Sequence, residues 1–213
     1  MLNRPRCRVT VAIVASLVLV KLALVSGQFC IAIANASGDD ALFVGLARSI
    51  SEGDWLGEYD KYTLAKGPVY PLWIAALFRL HMPLFLGQHL LYAFACWLVV
   101  RALRPLRFPW AAEMGVFALV LFNPATWSSQ LLRVVRSGIY PALTLLVVAC
   151  AVGLYTHRNR SRASLATWST GLGLALGAFW LTREEGLWLL PSLGVLFVAT
   201  LFGVWRSAAI DRS

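Results

Sequence analysis

Val9–Asp40 reads VTVAIVASLVLVKLALVSGQFCIAIANASGDD. The apolar run from Val9 to Ala34 carries a single charge, Lys21, and soon gives way to two adjacent carboxylates, Asp39 and Asp40. A helix that crosses a bilayer core needs about 20 apolar residues. The run is therefore long enough to cross, and the acidic pair falls where the chain leaves the membrane. An ionisable group at a membrane edge is a functional-site hypothesis by default.

Outward from this stretch the same pattern recurs. Apolar runs occupy Leu84–Leu103, Trp110–Trp127, Ile139–Tyr155, Leu165–Leu181 and Leu187–Trp205, each near spanning length. Val69–Leu80 is shorter and contains Pro71 and Arg79, as suits an interfacial or re-entrant segment. Of the 213 residues, 59% are hydrophobic and 14% charged, with a mean hydropathy of +0.70. Soluble domains carry about 25% charged residues, so the class is a polytopic membrane protein.

The net charge of +9 does not point to nucleic acid. No basic helix is interleaved with aromatics, and the cations cluster between apolar runs: Arg4/Arg6/Arg8, Arg101/Arg104/Arg107, His157/Arg158/Arg160/Arg162 and Arg206/Arg212. If all four clusters are cytoplasmic, an even number of crossings separates each neighbouring pair. Val69–Leu80 must then lie at the outer surface. The expectation is an all-α transmembrane bundle of six spans, one module over residues 1–213, with both termini cytoplasmic. Arg4, Arg6, Arg8 and Ala34-Asn35-Ala36 resemble the parts of a signal peptide, but the apolar stretch far exceeds the usual 7–15 residues, so an uncleaved first span is expected.

Cys7, Cys30, Cys96 and Cys150 show no C-x-x-C spacing, and His81, His89 and His157 are scattered, so no protein-built metal cage is expected. Gly173 and Gly177, four apart, are expected to let helices pack closely in lipid.

Within the external loop, residues 35–83, Ser37–Leu80 reads SGDDALFVGLARSISEGDWLGEYDKYTLAKGPVYPLWIAALFRL. Ser37 or Asp39 can cap a helix from Asp40, with Leu42, Phe43, Leu46 and Ile50 on one face resting in the lipid interface and Gly53 ending it. Trp55, Tyr59 and Tyr62 suit a headgroup belt. Lys66-Gly67-Pro68 leads into the short surface helix.

One span, an acidic pair opening a helix with A-R on its second turn, then G-D-W and K-x-P before an aromatic-rich helix: this order resembles the GT-C membrane glycosyltransferases of the PMT/ArnT-like group. The resemblance implies a polyprenyl-phosphate sugar donor and a glycan, lipid or protein acceptor. It puts the catalytic carboxylate at Asp39, with Asp40 beside it, and associates Lys66 with the donor phosphate. Ala65 and Arg136-Ser137 stand where relatives often carry an acidic residue and an Asp-Pro. Six spans are fewer than the group usually has, so an N-terminal portion or a reduced member is expected.

The residues argue for related chemistry on their own. A lipid-phosphate leaving group needs cations rather than a proton donor, and Lys66, Arg133 and Arg136 are external cations near helix ends. Arg133 and Arg136, three apart, share a face if helical. A carboxylate then accepts the acceptor's proton, which is Asp39's expected role, with Asp40 as neighbour or orienting group. Arg183, Glu184 and Glu185 close the fifth span on the same side and can face the donor or acceptor. Alternatives remain for each: Asp39 as a helix cap, Lys66 snorkelling to headgroups, Arg133 and Arg136 anchoring to anionic lipid, and an ion-paired turn at Arg183. A transporter or flippase for a lipid-linked substrate, or a non-catalytic subunit, would use the same cations. No cofactor is specified; two carboxylates alone do not define a divalent ion site.

Overall fold

The computed structural model describes residues 4–33, 39–55, 57, 66–127 and 132–183, with scattered positions between 191 and 198. Among these the protein is all-α: α1 Arg4–Val25, α2 Asp40–Glu52, α3 Val69–Arg79, α4 Leu84–Leu103, α5 Trp110–Leu121, α6 Tyr140–Thr156 and α7 Arg162–Trp180. Prolines explain several starts. Pro68, Pro83 and Pro109 each precede a helix, where a missing N–H costs nothing and the fixed φ already suits the turn.

The first apolar run does not stay helical to Ala34. Ser26-Gly27 stops α1 at Val25, and the chain runs on towards Ile33 without helix. The Ile31 N–H donates to the Leu132 carbonyl at 2.7 Å, and the Val134 N–H returns to Ile31 at 3.3 Å. This isolated parallel bridge between Ile31 and Arg133 ties the end of the first run to the segment ahead of α6.

Two cores hold the helices together. In the first, Phe43 of α2 meets Tyr70 of α3 edge-on, ring centroids 5.1 Å apart, over Val134, Ile139, Leu143 and Val147 and against Ala175 and Phe179 of α7. Full burial of a side chain such as Phe43 is worth about 1.5–3 kcal/mol, and an edge-on aromatic pair adds about 0.5–1.5. The apolar face of α2 is therefore not laid in lipid as expected. Phe43, Leu46 and Ala47 are buried against α3 and its neighbours, because protein atoms cover that face first. In the second core, Tyr92, Cys96 and Val100 of α4 pack with Phe117 and Leu121 of α5, and Val14, Leu17 and Val18 of α1 lean on them.

Among the described residues two helical stretches, Arg8–Val25 and Leu84–Leu106, are long and apolar enough to cross a membrane; Val69–Arg79 and Tyr140–Thr156 are shorter apolar helices. The third run breaks after Leu121, where Asn123-Pro124 turns it into a 3-10 segment, Pro124–Trp127. Ser164, Thr167, Ser169 and Thr170 dilute α7, and most of the sixth run lies outside the described residues. Among the described residues nothing stands within 4 Å of where a Cβ of Gly173 or Gly177 would lie, so there they mark no close helix contact. Ser37, Tyr59, Tyr62 and Asn35 also fall outside the described residues.

Candidate active site

α2 begins at Asp40, and its first turn aims that carboxylate inwards, where it is fully buried. The Ile31 bridge presents Arg133 to it. Arg133 donates from Nη2 to Oδ1 at 2.9 Å and from Nε to Oδ2 at 3.3 Å, and the Ile33 N–H lies 3.4 Å from Oδ2. A fork of this kind is the strong form of charge-assisted hydrogen bond. Asp40 thus fastens α2 to both bridging segments and has little capacity left for a substrate.

Asp39 is different. It occupies the cap position of α2 and its carbonyl accepts from the Phe43 N–H at 3.0 Å, but its side chain makes no capping hydrogen bond. The carboxylate instead faces Lys66, Nζ to Oδ2 3.1 Å, and Arg136, Nη2 to the same oxygen 3.9 Å. Its side chain is 39% exposed, against 29% for Lys66 and 14% for Arg136. Of the two carboxylates, Asp39 is the one open to solvent.

Each cation is set by local structure. Gly67 presses on the carbonyl end of α7: a Cβ there would fall 1.8 Å from the Leu181 oxygen, and the Val69 N–H points to the same oxygen at 3.4 Å. Only glycine fits, and this seats Lys66 beside Asp39. Arg136 opens a 3-10 turn, Arg136–Gly138. It donates from Nη1 to the Thr182 carbonyl at 3.2 Å, and its guanidinium lies 5.8 Å from the Phe43 ring centre. Arg133 and Arg136 do not share a helix face as expected, since Arg133 sits in the bridge and Arg136 in the tight turn, yet both reach the acidic pair. Arg183 follows Thr182 and rests over Tyr140, 5.3 Å from the ring centre, with Tyr140 stacked on Phe179. Glu184 and Glu185 lie outside the described residues.

Beneath the site the Tyr70 hydroxyl is pushed above its ordinary value, first by burial and then by the nearby Cys30 and Asp40, while the Gln88 amide donating to it at 3.4 Å opposes the shift. Tyr70 is therefore a neutral group that supports the floor. Two carboxylates against three cations leave this cluster with one net positive charge. Among the described residues no His, Cys, Asp and Glu gather as metal ligands, and the donor set suits an anion.

The expected residues Asp39, Asp40, Lys66, Arg133 and Arg136 converge. Sequence reasoning missed the Thr182 carbonyl, the Phe43 face and the Ile33 N–H. Gly67 between Lys66 and Pro68 was the one local signal for the close approach. No known protein family, curated protein or solved structure matches the chain.

Proposed function

We propose that the chain is an integral membrane glycosyltransferase of GT-C type, with six spans and both termini cytoplasmic, as in a bacterial plasma membrane. It moves a sugar from a polyprenyl-phosphate donor to a glycan, lipid or protein acceptor on the non-cytoplasmic face. The observation that carries this reading is the reachable Asp39 carboxylate beside Lys66 and Arg136, above the buried Asp40–Arg133 pair. Apolar side chains left open on α1, α4, α5 and α7, such as Val11, Leu19, Phe94, Leu119 and Leu174, support a lipid surround, because large contiguous apolar patches are rare on monomers in water.

The donor phosphate takes Lys66 and Arg136 as its counter-ions, and Asp39 is released from them. An acceptor hydroxyl oxygen then attacks the anomeric carbon while the bond from that carbon to the phosphate oxygen breaks. The electron pair stays on the phosphate, which gains negative charge that the two cations stabilise. The acceptor's proton passes to Asp39 as general base. Attack opposite the leaving phosphate inverts the anomeric centre. Asp40 and Arg133 hold the start of α2 in place and take no part in the bond changes.

Membranes from cells making the chain, supplied with sugar-labelled polyprenyl phosphate, test this directly. Label is expected in a glycan, lipid or protein, and Asp39→Asn is expected to abolish it without loss of insertion. No transfer from an inserted, donor-supplied parent chain would refute an autonomous transferase and favour the subunit or transporter reading.

A further inference from the structure

Between the C-terminal end of α4 and the start of α5 lies a cavity of about 130 Å³ lined by Val100, Leu103, Phe108, Ala112, Glu113 and Val116. One water takes about 30 Å³ of liquid, so the space holds several chain carbons, and its wall is apolar apart from Glu113. Three lining residues are chain neighbours of arginines: Val100 of Arg101, Leu103 of Arg104 and Phe108 of Arg107. Each arginine is therefore joined directly to a lining residue, which keeps its long side chain within reach of the cavity. The 3-10 turn Arg104–Leu106 lies between the lining residues Leu103 and Phe108 and is closed by the Arg107 N–H donating to the Arg104 carbonyl at 3.1 Å.

Among the described residues Arg101, Arg104 and Arg107 make no ion pair. Arg101 rests over the Trp97 ring, 5.3 Å from its centre. Among the described residues Glu113 is the single carboxylate in the wall, against the three arginines within reach of it. Leu106, Phe108 and Trp110 stand about half exposed beside it, an apolar and aromatic edge of the kind found at membrane interfaces.

We infer that this end binds one anionic phospholipid, its phosphate on Arg104 and Arg107 and one acyl chain in the cavity between α4 and α5. The chemistry commits to a lipid rather than a soluble anion, because the cation rim and the apolar cavity are contiguous. The site needs the membrane surround but is independent of sugar transfer. Each arginine near an anionic surface contributes roughly a fivefold gain in affinity. The rim therefore selects a net-negative headgroup over a zwitterionic one, despite Glu113.

Native mass spectrometry of the full chain, exchanged into mild detergent with equal amounts of phosphatidylglycerol and phosphatidylcholine, tests the assignment. The parent is expected to retain phosphatidylglycerol over phosphatidylcholine by at least about fivefold. Arg104→Gln/Arg107→Gln is expected to bring the ratio near one, whereas Arg104→Lys/Arg107→Lys keeps most of it. Val116→Phe, which fills the cavity, is expected to lower retention of both lipids. Helical content by circular dichroism must match the parent in every variant compared. Parity in the parent, or a ratio that survives the Gln pair, overturns the phosphate seat. Retention unchanged by Val116→Phe overturns the acyl seat.

Discussion

Replacing Arg133 by methionine strands a carboxylate. Asp40 is fully buried, and without the guanidinium fork its one remaining partner among the described residues is the Ile33 N–H at 3.4 Å. Breaking a buried pair by removing one member costs about 3–5 kcal/mol, since the other charge stays in a poor dielectric. Asp40→Asn is the milder change. The Arg133 side chain is 38% exposed and can hydrate, so the loss is nearer the about 1–3 kcal/mol of one unsatisfied polar group. With both charges gone, Asp40→Asn/Arg133→Met should fall close to Asp40→Asn alone, giving a coupling as large as the Arg133→Met cost itself, about 3–5 kcal/mol, at or above the top of the range for side chains in contact. Equilibrium unfolding in mixed micelles, followed by circular dichroism, reads all four forms. At about 2–4 °C per kcal/mol for a chain of this size, Arg133→Met should also lower Tm by at least about 6 °C. Arg133→Met proving no costlier than Asp40→Asn would refute the buried-carboxylate reasoning.

Three further perturbations separate close contact from open space and charge from packing. Gly67→Ala places a methyl against the Leu181 carbonyl and is expected to destabilise by about 1–3 kcal/mol, whereas Gly173→Ala on α7 meets nothing within 4 Å among the described residues and should gain up to about 1 kcal/mol from helix propensity; thermal unfolding of the two variants compares them. Lys21, buried on α1, donates to the Leu121 carbonyl and to Thr126 Oγ1 and lies over the Tyr92 and Trp127 rings. Lys21→Met should therefore cost about 1–3 kcal/mol for the orphaned carbonyl, read by the same micelle unfolding. At the end of α6, burial holds the His157 imidazole below its ordinary value, with Arg160 and Arg101 adding to the shift and the Gly153 carbonyl opposing it. The folded state thus favours the neutral ring. This stabilisation is complete above the ordinary histidine value of about 6.5 and is lost as pH falls through the lower folded value. Between pH 8 and pH 5 the parent should lose more stability than His157→Gln.

Much of the helical order was legible because its punctuation is local. Pro68 and Pro83 precede α3 and α4 within a residue of the expected starts, and Gly53, at φ 102°, ends α2 with its N–H on the Ile50 and Ser49 carbonyls. The end of α1 was misjudged because hydropathy alone carries the run past Ser26-Gly27, and nothing within ten residues announces a bridge to Leu132–Val134. Residue types drew attention to the acidic pair and its cations, but their arrangement depends on contacts across about ninety residues, such as Arg133 with Asp40. The division of labour between Asp39 and Asp40 was hidden for another reason. The two are chemically alike and adjacent, and only the first turn of α2 sends one into the core and leaves the other at the surface. The lipid-facing role expected of α2 failed because an amphipathic pattern records that a face is covered, not what covers it.

The most direct measurement is the rate of sugar transfer by purified Asp39→Asn, taken beside its affinity for the polyprenyl-phosphate sugar donor. Donor binding is expected to persist, since Lys66 and Arg136 remain, while transfer falls by about 10²-fold or more with loss of the base. Lys66→Met is expected to weaken donor binding itself. Transfer by Asp39→Asn at the parent's rate, with equal donor affinity, would contradict the assignment of Asp39 as the base and with it the proposed chemistry of the site.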